Sequence, residues 1–287
     1  MRFTKMHGVG NDFIIIDPGE IEGEDLPELS RRVCDRHFGV GADGLLVPAT
    51  SAVADLKMVY FKSDGSPSEM CGNGLRCLAR YARDFEIVAG DVLSVETGSG
   101  VKEVLLYQDG SSRVGMGPPT LSSPVELHGF LFLRVSMGNP HAVTLLESEA
   151  AVETLDLGTV GPRVEKDILF PEGTNVEFAY PRGNHEVRMR IWERGAGETL
   201  ASGSGSCATA VAAISSGFAD SPVDVRLDGG TVKVEWSGEE GSVYMSGPAT
   251  YVCEGEFFSE ARSKPVVLEK ATREQAGQDI SQRLRGL

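Results

Sequence analysis

The sequence predicts an α+β fold built from two similar halves, and three observations indicate it. Short runs of β-forming residues, separated by Gly, Pro and Asp, recur along the whole chain. Helical patterns are few. The pattern at 74–85 is amphipathic, and that at 206–216, which is small and apolar almost all round, is typical of a helix buried in a core. A segment of the first half is also repeated in the second half. Many strands with a few central helices are typical of the α+β class.

One further helix and seven strands are predicted from local sequence patterns. Segment 27–34 predicts a short helix before the first of the two central helices. The predicted strands share β-branched and aromatic residues between turn signals, and they lie at 13–17, 56–61, 101–107, 130–135, 187–192, 223–227 and 232–236.

The repeat joins two Gly-rich segments that lie 131 residues apart. One begins Cys71-Gly-Asn-Gly and the other Ser202-Gly-Ser-Gly, and eight residues of helix-forming type with matching alanines follow each. The same offset carried upstream matches Met58 with Met189 and Gly44 with Asn175. Farther back the register slips by a few residues, and Gly10-Asn11 then matches Gly138-Asn139.

Four matches in the same order indicate a duplicated architecture. We predict a first half at 1–117 that carries Cys71 and a second half at 118–256 that carries Ser202. Segment 116–120 is a plausible crossover linker. The charged, Gln-rich segment at 257–287 has little apolar periodicity, and we expect it to be a mobile or weakly helical tail.

Composition limits the classes of function. The chain has 287 residues, 41% of them hydrophobic, and a net charge of −15. This charge disfavours a nucleic-acid partner because no basic stripe is available to meet phosphates. No run approaches the roughly 20 apolar residues of a membrane span, and the N-terminus lacks the apolar stretch of a secretion signal. The five cysteines form no Cys-x-x-Cys pair, so we expect a reducing cytoplasm and no metal site.

Each Gly-x-Gly segment stands directly before a predicted helix, where free N–H groups attract anions. A cysteine at such a place, like Cys71, has a lowered pKa and can act as a base. Two groups on opposite sides of one carbon can invert its configuration, since one removes the proton and the other returns it. Taken singly, a Gly-rich turn is equally typical of an ordinary helix start, and a cysteine of a buried cap.

The chain resembles the diaminopimelate epimerase family from Arg2 to about Gly255. The resemblance implies two pseudo-symmetric domains, each a β-barrel-like sheet around a central helix, and a homodimer. It also implies interconversion of LL- and meso-diaminopimelate for lysine and peptidoglycan synthesis, without pyridoxal phosphate or another cofactor and without a metal. The motifs that carry it are Lys5-Met-His-Gly-Val-Gly-Asn-Asp-Phe13, Asp35-Arg-His-Phe-Gly-Val-Gly-Ala-Asp-Gly44, Asp64-Gly-Ser-Pro-Ser-Glu-Met-Cys-Gly-Asn-Gly-Leu-Arg76, Met137-Gly-Asn-Pro-His141, Gly173-Thr-Asn175 and Glu193-Arg-Gly-Ala-Gly-Glu-Thr199.

The same resemblance assigns roles residue by residue. Cys71 corresponds to one catalytic thiol, and Ser202 stands where the family has the second. His141 and Glu193 correspond to groups that tune the pKa of the proton-transfer residues. The residues implied in substrate binding are Asn11, Lys62, Gly72, Asn73, Asn139, Asn175, Glu193, Arg194, Gly203 and Ser204.

Ser202 departs from the family, which has a thiol at this position. A hydroxyl like that of water has a pKa far above the value of about 8.5 for a thiol, and it costs on the order of 10 kcal/mol more to ionise. Ser202 therefore needs help from a neighbour such as Glu193 or His141 to act as a base. Three interpretations are open: an engineered substitution that disables one half-reaction, a natural one-base reaction such as an elimination, or a natural epimerase of low activity.

Lys62 is a second departure, because the family normally has an asparagine there. The lysine could pair with a substrate carboxylate, pair with Glu193, or point into solvent. This leaves two alternatives beside diaminopimelate epimerisation. One is a racemase, epimerase or dehydratase of the same fold that acts on another amino acid. The other is a ligand-binding homologue with little activity.

Overall fold

In the computed structural model, the protein has two sets of eight strands, and each set is arranged around one helix. The structure describes residues 1–238 and 241–258, and Arg2–Phe257 form one compact unit. Residues 259–287, which are nearly all of the predicted tail, lie outside the described residues. The α+β class predicted from the sequence is confirmed.

The first set runs in the order β17-β1-β2-β3-β4-β5-β6-β7, with β2–β3 and β4–β5 parallel and the other neighbours antiparallel. Its strands are β1 (Arg2–Gly8), β2 (Asn11–Ile15), β3 (Gly44–Ala49), β4 (Leu56–Lys62), β5 (Val92–Thr97), β6 (Gly100–Leu106), β7 (Ser111–Gly117) and β17 (Thr250–Glu256).

The second set repeats this order as β8-β9-β10-β11-β12-β14-β15-β16, and its parallel pairs, β10–β11 and β12–β14, fall at the same places. Its strands are β8 (Thr120–Leu127), β9 (Phe130–Ser136), β10 (Pro140–Leu145), β11 (Asn175–Pro181), β12 (Glu186–Glu193), β14 (Val223–Leu227), β15 (Gly230–Trp236) and β16 (Val243–Pro248), with the two-residue β13 (Gly197–Glu198) on β12.

The two sets are joined by antiparallel pairing of β7 with β16. They are also joined through the chain itself, because β17, which follows the second set in the sequence, pairs with residues 2–7 of β1. One strand of the later segment therefore completes the first set. The division into halves at 1–117 and 118–256 stays a prediction.

The helices at the centres of the two sets are α2 (Gly72–Asp84) and α5 (Gly203–Ser215). Both begin earlier than the sequence pattern predicts, because the Gly-x-Gly segment forms the first helical turn in each case. Most residues of α5 are small, such as Ala208 and Ala212, and fully buried. Small side chains let the surrounding strands approach the helix on all sides.

Within the described residues, three shorter α-helices and a 3-10 turn at Pro18–Glu20 lie outside the two central helices. α1 (Leu26–Cys34) agrees with the predicted helix at 27–34. α3 (Glu149–Thr154) and α4 (Leu157–Glu165) were not predicted, because α3 is short and α4 contains two glycines and Pro162. Their starts are fixed by Ser148 and Asp156, whose side chains accept backbone N–H groups of the first turn. Among the described residues, no helix has the length and apolar character of a membrane span.

Candidate active site

The amino ends of α2 and α5 face each other where the two sets of strands meet. A Cβ atom added to Gly203 would lie 3.6 Å from the Cα atom of Gly72. Both glycines also lie against the side chain of Met245, whose Cε atom would be 2.8 Å from a Cβ on Gly72 and 3.2 Å from one on Gly203. Only glycine allows this approach without displacing a neighbour. Cys71 and Ser202, the residues directly before these turns, therefore lie at one site.

Cys71 is partly buried, and its Sγ donates to Oδ1 of Asn11 at 3.5 Å. The pKa of the thiol is raised to about 11, chiefly by burial and also by the carboxylate of Glu193, although the N–H groups of Gly74 and Asn73 lower it. The sequence-based prediction of a lowered pKa is therefore wrong here. The helix end acts in the predicted direction, but desolvation outweighs it, and the group is a protonated thiol at neutral pH.

Ser202 is buried, with 5% of its surface exposed, and its Oγ accepts the N–H of Gly205 at 3.3 Å. Its hydroxyl also lies close enough to the carboxylate of Glu193 to lower the pKa of that acid. Thr199 Oγ1 donates to the same carboxylate at 2.5 Å. Burial is the larger influence and raises the pKa of Glu193 overall. A hydroxyl and a carboxylate thus stand together at this helix end.

Asn11 connects the first helix end to an acidic cluster. Its Nδ2 donates to Oδ2 of Asp43 at 2.7 Å, and its Oδ1 accepts from Nδ2 of Asn73 at 3.3 Å. Asn73 in turn accepts from Nη2 of Arg76 at 2.8 Å. Arg76 is fully buried. In the described part of the chain its guanidinium donates to three neutral acceptors only, namely the Asn73 amide, Pro248 O and Met245 Sδ. A positive charge without an acidic partner therefore lies behind Cys71.

Asn139 is the counterpart of Asn11 at the second helix end. Its Nδ2 donates to Oγ of Ser204 at 3.4 Å, and its Oδ1 lies 3.2 Å from Nε2 of His141. His141 Nδ1 lies 2.6 Å from Oε1 of Glu177, and both side chains are fully buried. Among these residues, Glu177 was missed by sequence reasoning. Its position two residues after Asn175, on the same face of β11, is the available signal.

Asn175 and Arg194 form the next part of the site. Asn175 accepts the backbone N–H of Arg194 with Oδ1 at 3.0 Å and donates to Pro140 O at 3.0 Å. The side chain of Arg194 is exposed, and its Nη1 donates to Glu172 O at 3.1 Å. Its remaining donors have no partner among residues 1–238 and 241–258, and they can meet a carboxylate.

Lys62, the last residue of β4, has an exposed side chain. Its backbone N–H closes a turn onto Ser66 O at 2.9 Å. Within 1–238 and 241–258 the lysine ion pairs are those of Lys5, Lys57 and Lys233, so the ammonium of Lys62 forms none. Of the alternatives derived from the sequence, the structure therefore has the solvent-facing lysine and lacks the pair with Glu193.

Cys77 and Cys207 lie inside the central helices and are fully buried. Burial raises the pKa of each thiol to about 12. They are core residues, and Cys207 does not substitute for the missing thiol at Ser202.

Known proteins match this chain over most of its length. The sequence profile of the diaminopimelate epimerase family matches residues 3–122 and 133–252. The diaminopimelate epimerase of Desulfovibrio desulfuricans is 45% identical over 286 residues, covering 90% of this chain and 98% of the relative. That of Methanococcus maripaludis is 42% identical over 277 residues, covering 89% and 99%.

Solved structures share the fold at low sequence identity. A phenazine biosynthesis protein of Bacillus anthracis superposes with a TM-score of 0.69 at 15% identity, covering 90% of this chain and 99% of its own. A probable proline racemase from Agrobacterium radiobacter superposes with a TM-score of 0.68 at 14% identity, covering 91% and 94%. At these identities the likeness establishes only the fold. With the family match over both sets of strands, it follows that the chain belongs to the diaminopimelate epimerase family and is an isomerase of the amino-acid epimerase class.

Proposed function

We propose that this protein interconverts LL- and meso-diaminopimelate by moving a proton between the two faces of the substrate Cα, without a cofactor. The observation that supports this most strongly is the close approach of the two helix ends, where a Cβ atom added to Gly203 would lie 3.6 Å from the Cα atom of Gly72. One carbon held between them has Cys71 on one side and Ser202 on the other. This is the arrangement that inversion of a stereocentre needs.

The substrate carboxylate at the reacting carbon is held by the N–H groups of Gly72, Asn73, Gly203 and Ser204. These groups stand at the positive ends of two helices, so they favour an anion there and stabilise the negative charge that develops on deprotonation. Further contacts come from the amides of Asn11, Asn139 and Asn175. The exposed guanidinium of Arg194 pairs with a carboxylate of the substrate in bidentate fashion.

The two faces use different proton carriers. On one face, Cys71 is protonated at neutral pH and returns a proton to the carbanion. On the other, the Cα–H bond breaks as Ser202 Oγ takes the proton and passes its own proton to the carboxylate of Glu193. In the opposite direction both transfers reverse. Glu193 thus supplies the basicity that the hydroxyl lacks, and we propose that turnover is attenuated relative to a pair of thiols.

Solvent exchange tests this proposal. LL- and meso-diaminopimelate are incubated separately with the protein in D2O, and deuterium at Cα and interconversion are followed by NMR and chiral chromatography. We expect both isomers to exchange and interconvert slowly. Exchange of one isomer alone would replace the proposal with a one-base reaction. Binding without exchange of either isomer would indicate a ligand-binding homologue.

The variant Ser202→Cys is the companion test, with Ser204→Cys as the matched control at a neighbouring position of the same turn. We expect at least a tenfold gain in kcat for the first and none for the second, because only the residue before α5 faces the carbon. No gain for Ser202→Cys would remove Ser202 from the mechanism.

Lys62 favours one alternative, an epimerase of the same fold for another amino acid. Its exposed ammonium stands where the family normally has an asparagine, so a substrate with a different distal group fits this position. Comparison of kcat/KM for diaminopimelate and for other amino acids in Lys62→Asn and in the native protein decides between them. Family membership also supports a cytoplasmic homodimer, which light scattering after size-exclusion chromatography tests.

A further inference from the structure

The two sets of strands carry different side chains at one equivalent place beneath each central helix. In the first set, Phe13 pairs in register with Gly44, and Leu46 follows two residues later. In the second set, His141 pairs in register with Asn175, and Glu177 follows two residues later. The fold thus places His141 where it has Phe13, and Glu177 where it has Leu46.

The helix turns above these pairs match as well. A Cβ on Gly74 of α2 would lie 3.3 Å from the Phe13 ring and 3.4 Å from Leu46 Cδ1. A Cβ on Gly205 of α5 would lie 3.0 Å from Oε1 of Glu177. The first set shows that an apolar pair satisfies the packing at this place. The polar pair in the second set is therefore not a requirement of the fold.

The His141–Glu177 pair is fully enclosed. Both side chains are 0% exposed, and Oε2 of Glu177 has no hydrogen-bond partner among residues 1–238 and 241–258. A buried carboxylate beside a neutral imidazole would leave a net negative charge in an apolar surrounding, which is costly. Burial, with the nearby carboxylate of Glu193, accordingly raises the pKa of Glu177. The pair is most stable when it is neutral overall, and a neutral pair carries two protons. One proton is shared between Nδ1 of His141 and Oε1 of Glu177, and the second is on Nε2 of His141.

The proton on Nε2 has a defined partner. It lies toward Oδ1 of Asn139, at 3.2 Å between the heavy atoms, and the Nδ2 of the same amide then faces Ser204 Oγ at 3.4 Å. In the first set the amide of Asn11 has the opposite polarity, because its Nδ2 faces Asp43 and its Oδ1 faces Cys71. One amide offers an acceptor to its helix end, and the other offers a donor.

We propose that Glu177 and His141 are positioning residues that hold a proton on Nε2 and thereby turn the NH2 group of Asn139 toward the amino end of α5. There the NH2 group donates to the anionic part of the ligand that the helix end binds. The part of this inference that concerns the ligand rests on the proposed function. The orientation of Asn139 does not, and it can be measured on the protein alone.

The first test uses ¹⁵N-labelled protein without substrate. We expect a slowly exchanging proton on Nε2 of His141 in the native protein and in Glu177→Gln, since the glutamine amide can donate to Nδ1. In Glu177→Leu we expect this proton to exchange rapidly. An unprotonated Nε2 in the native protein would overturn the inference, whatever the substrate proves to be.

The second test transfers the apolar pair of the first set to the second, in the double variant His141→Phe/Glu177→Leu. We expect it to fold with a Tm close to the native value, because the same pair is accommodated beneath α2. We expect KM to rise about tenfold or more while kcat changes less, and we expect Glu177→Gln to keep most of the native KM. Leu46→Met is the matched core variant in the other set, and it should leave KM unchanged.

The closing measurement is a double-mutant cycle with Asn139→Ala. If the pair acts through Asn139, replacing His141 and Glu177 should raise KM only slightly further in a protein that already carries Asn139→Ala. Additive losses would overturn the inference while leaving the proposed function intact. Absence of turnover in the native protein, with a protonated Nε2, would instead contradict the proposed function and leave the orientation of Asn139 established.

Discussion

The amino ends of α2 and α5 have the same backbone and opposite side-chain chemistry. Behind Cys71 lie a buried guanidinium, that of Arg76, and an apolar pair. Behind Ser202 lie two acids, Glu193 and Glu177, and a histidine. The backbone of each end offers N–H groups to an anion, so that function is duplicated. In the proposed mechanism, the side chains beneath decide which end gives a proton readily and which accepts one.

Replacement of Cys71, the one thiol at the two helix ends, should change turnover more than any other variant that tests this comparison. Cys71→Ser leaves a hydroxyl at both helix ends, and this end has no carboxylate bonded to the new hydroxyl. We expect turnover to fall by about 10³-fold, within the range of general acid–base catalysis. Cys253→Ser, at an exposed cysteine of β17, is the control and should be fully active. If Cys71→Ser keeps a tenth of native turnover, the two ends do not differ as described.

Glu193→Gln should come next. The amide keeps the shape of the side chain but cannot accept a proton, so we expect kcat to fall by about 100-fold. In a Ser202→Cys background the thiol accepts the proton itself, and the same change should cost tenfold or less. Steady-state kinetics of the four proteins gives the coupling. An equal loss in both backgrounds would assign Glu193 to binding alone.

Arg76→Met tests the charge behind the first helix end. The guanidinium lowers the pKa of Cys71, so its removal should raise that pKa by about one unit or less, in keeping with a partly screened charge. Rates of iodoacetamide alkylation at Cys71, followed by mass spectrometry between pH 8 and 11, measure the shift. Arg80→Met, one turn later in α2, is the control. An unchanged profile would show that Arg76 has only a packing role.

The smallest expected effect concerns stability at high pH. Burial raises the pKa of Cys77 and of Cys207 to about 12, whereas a thiol in an unfolded chain ionises at about 8.5. Between these values the unfolded chain binds fewer protons, so the free energy of unfolding falls as pH rises. Urea unfolding at pH 7.5 and pH 10 should show a smaller fall in Cys77→Ala and Cys207→Ala than in the native protein. Equal falls would mean that other groups control the pH dependence.

Much of this site could be predicted from the sequence because the duplication is visible there. Two similar segments must fold similarly, so the opening residues Cys71 and Ser202 could be expected at equivalent places. The charge states could not be predicted, because they depend on burial. The predicted low pKa of Cys71 considers only the helix end, whereas the folded protein also removes water from the thiol.

Glu177 was missed in the sequence analysis because its contact with His141 depends on the register of two paired strands. Glu177 meets His141 because β10 and β11 are parallel neighbours with His141 beside Asn175. The residues are 36 positions apart in the chain, and nothing local in the sequence specifies that register. α4 was missed for a different reason: its glycines and Pro162 oppose helix formation locally, and packing of its buried residues Leu157 and Val164 overrides this preference.

The pairing of β17 with β1 has a consequence for how the chain can be made. A ribosome releases β1 before the whole second set and β17 after it, so the first set cannot close while the second is still being produced. Until β17 is made, the edge of β1 has unpaired backbone N–H and C=O groups, which can pair with a strand of another chain. Contacts between such distant parts of a chain form slowly. A nascent chain that is cut before Thr250 would keep Cys71 and Ser202 and still expose this open edge.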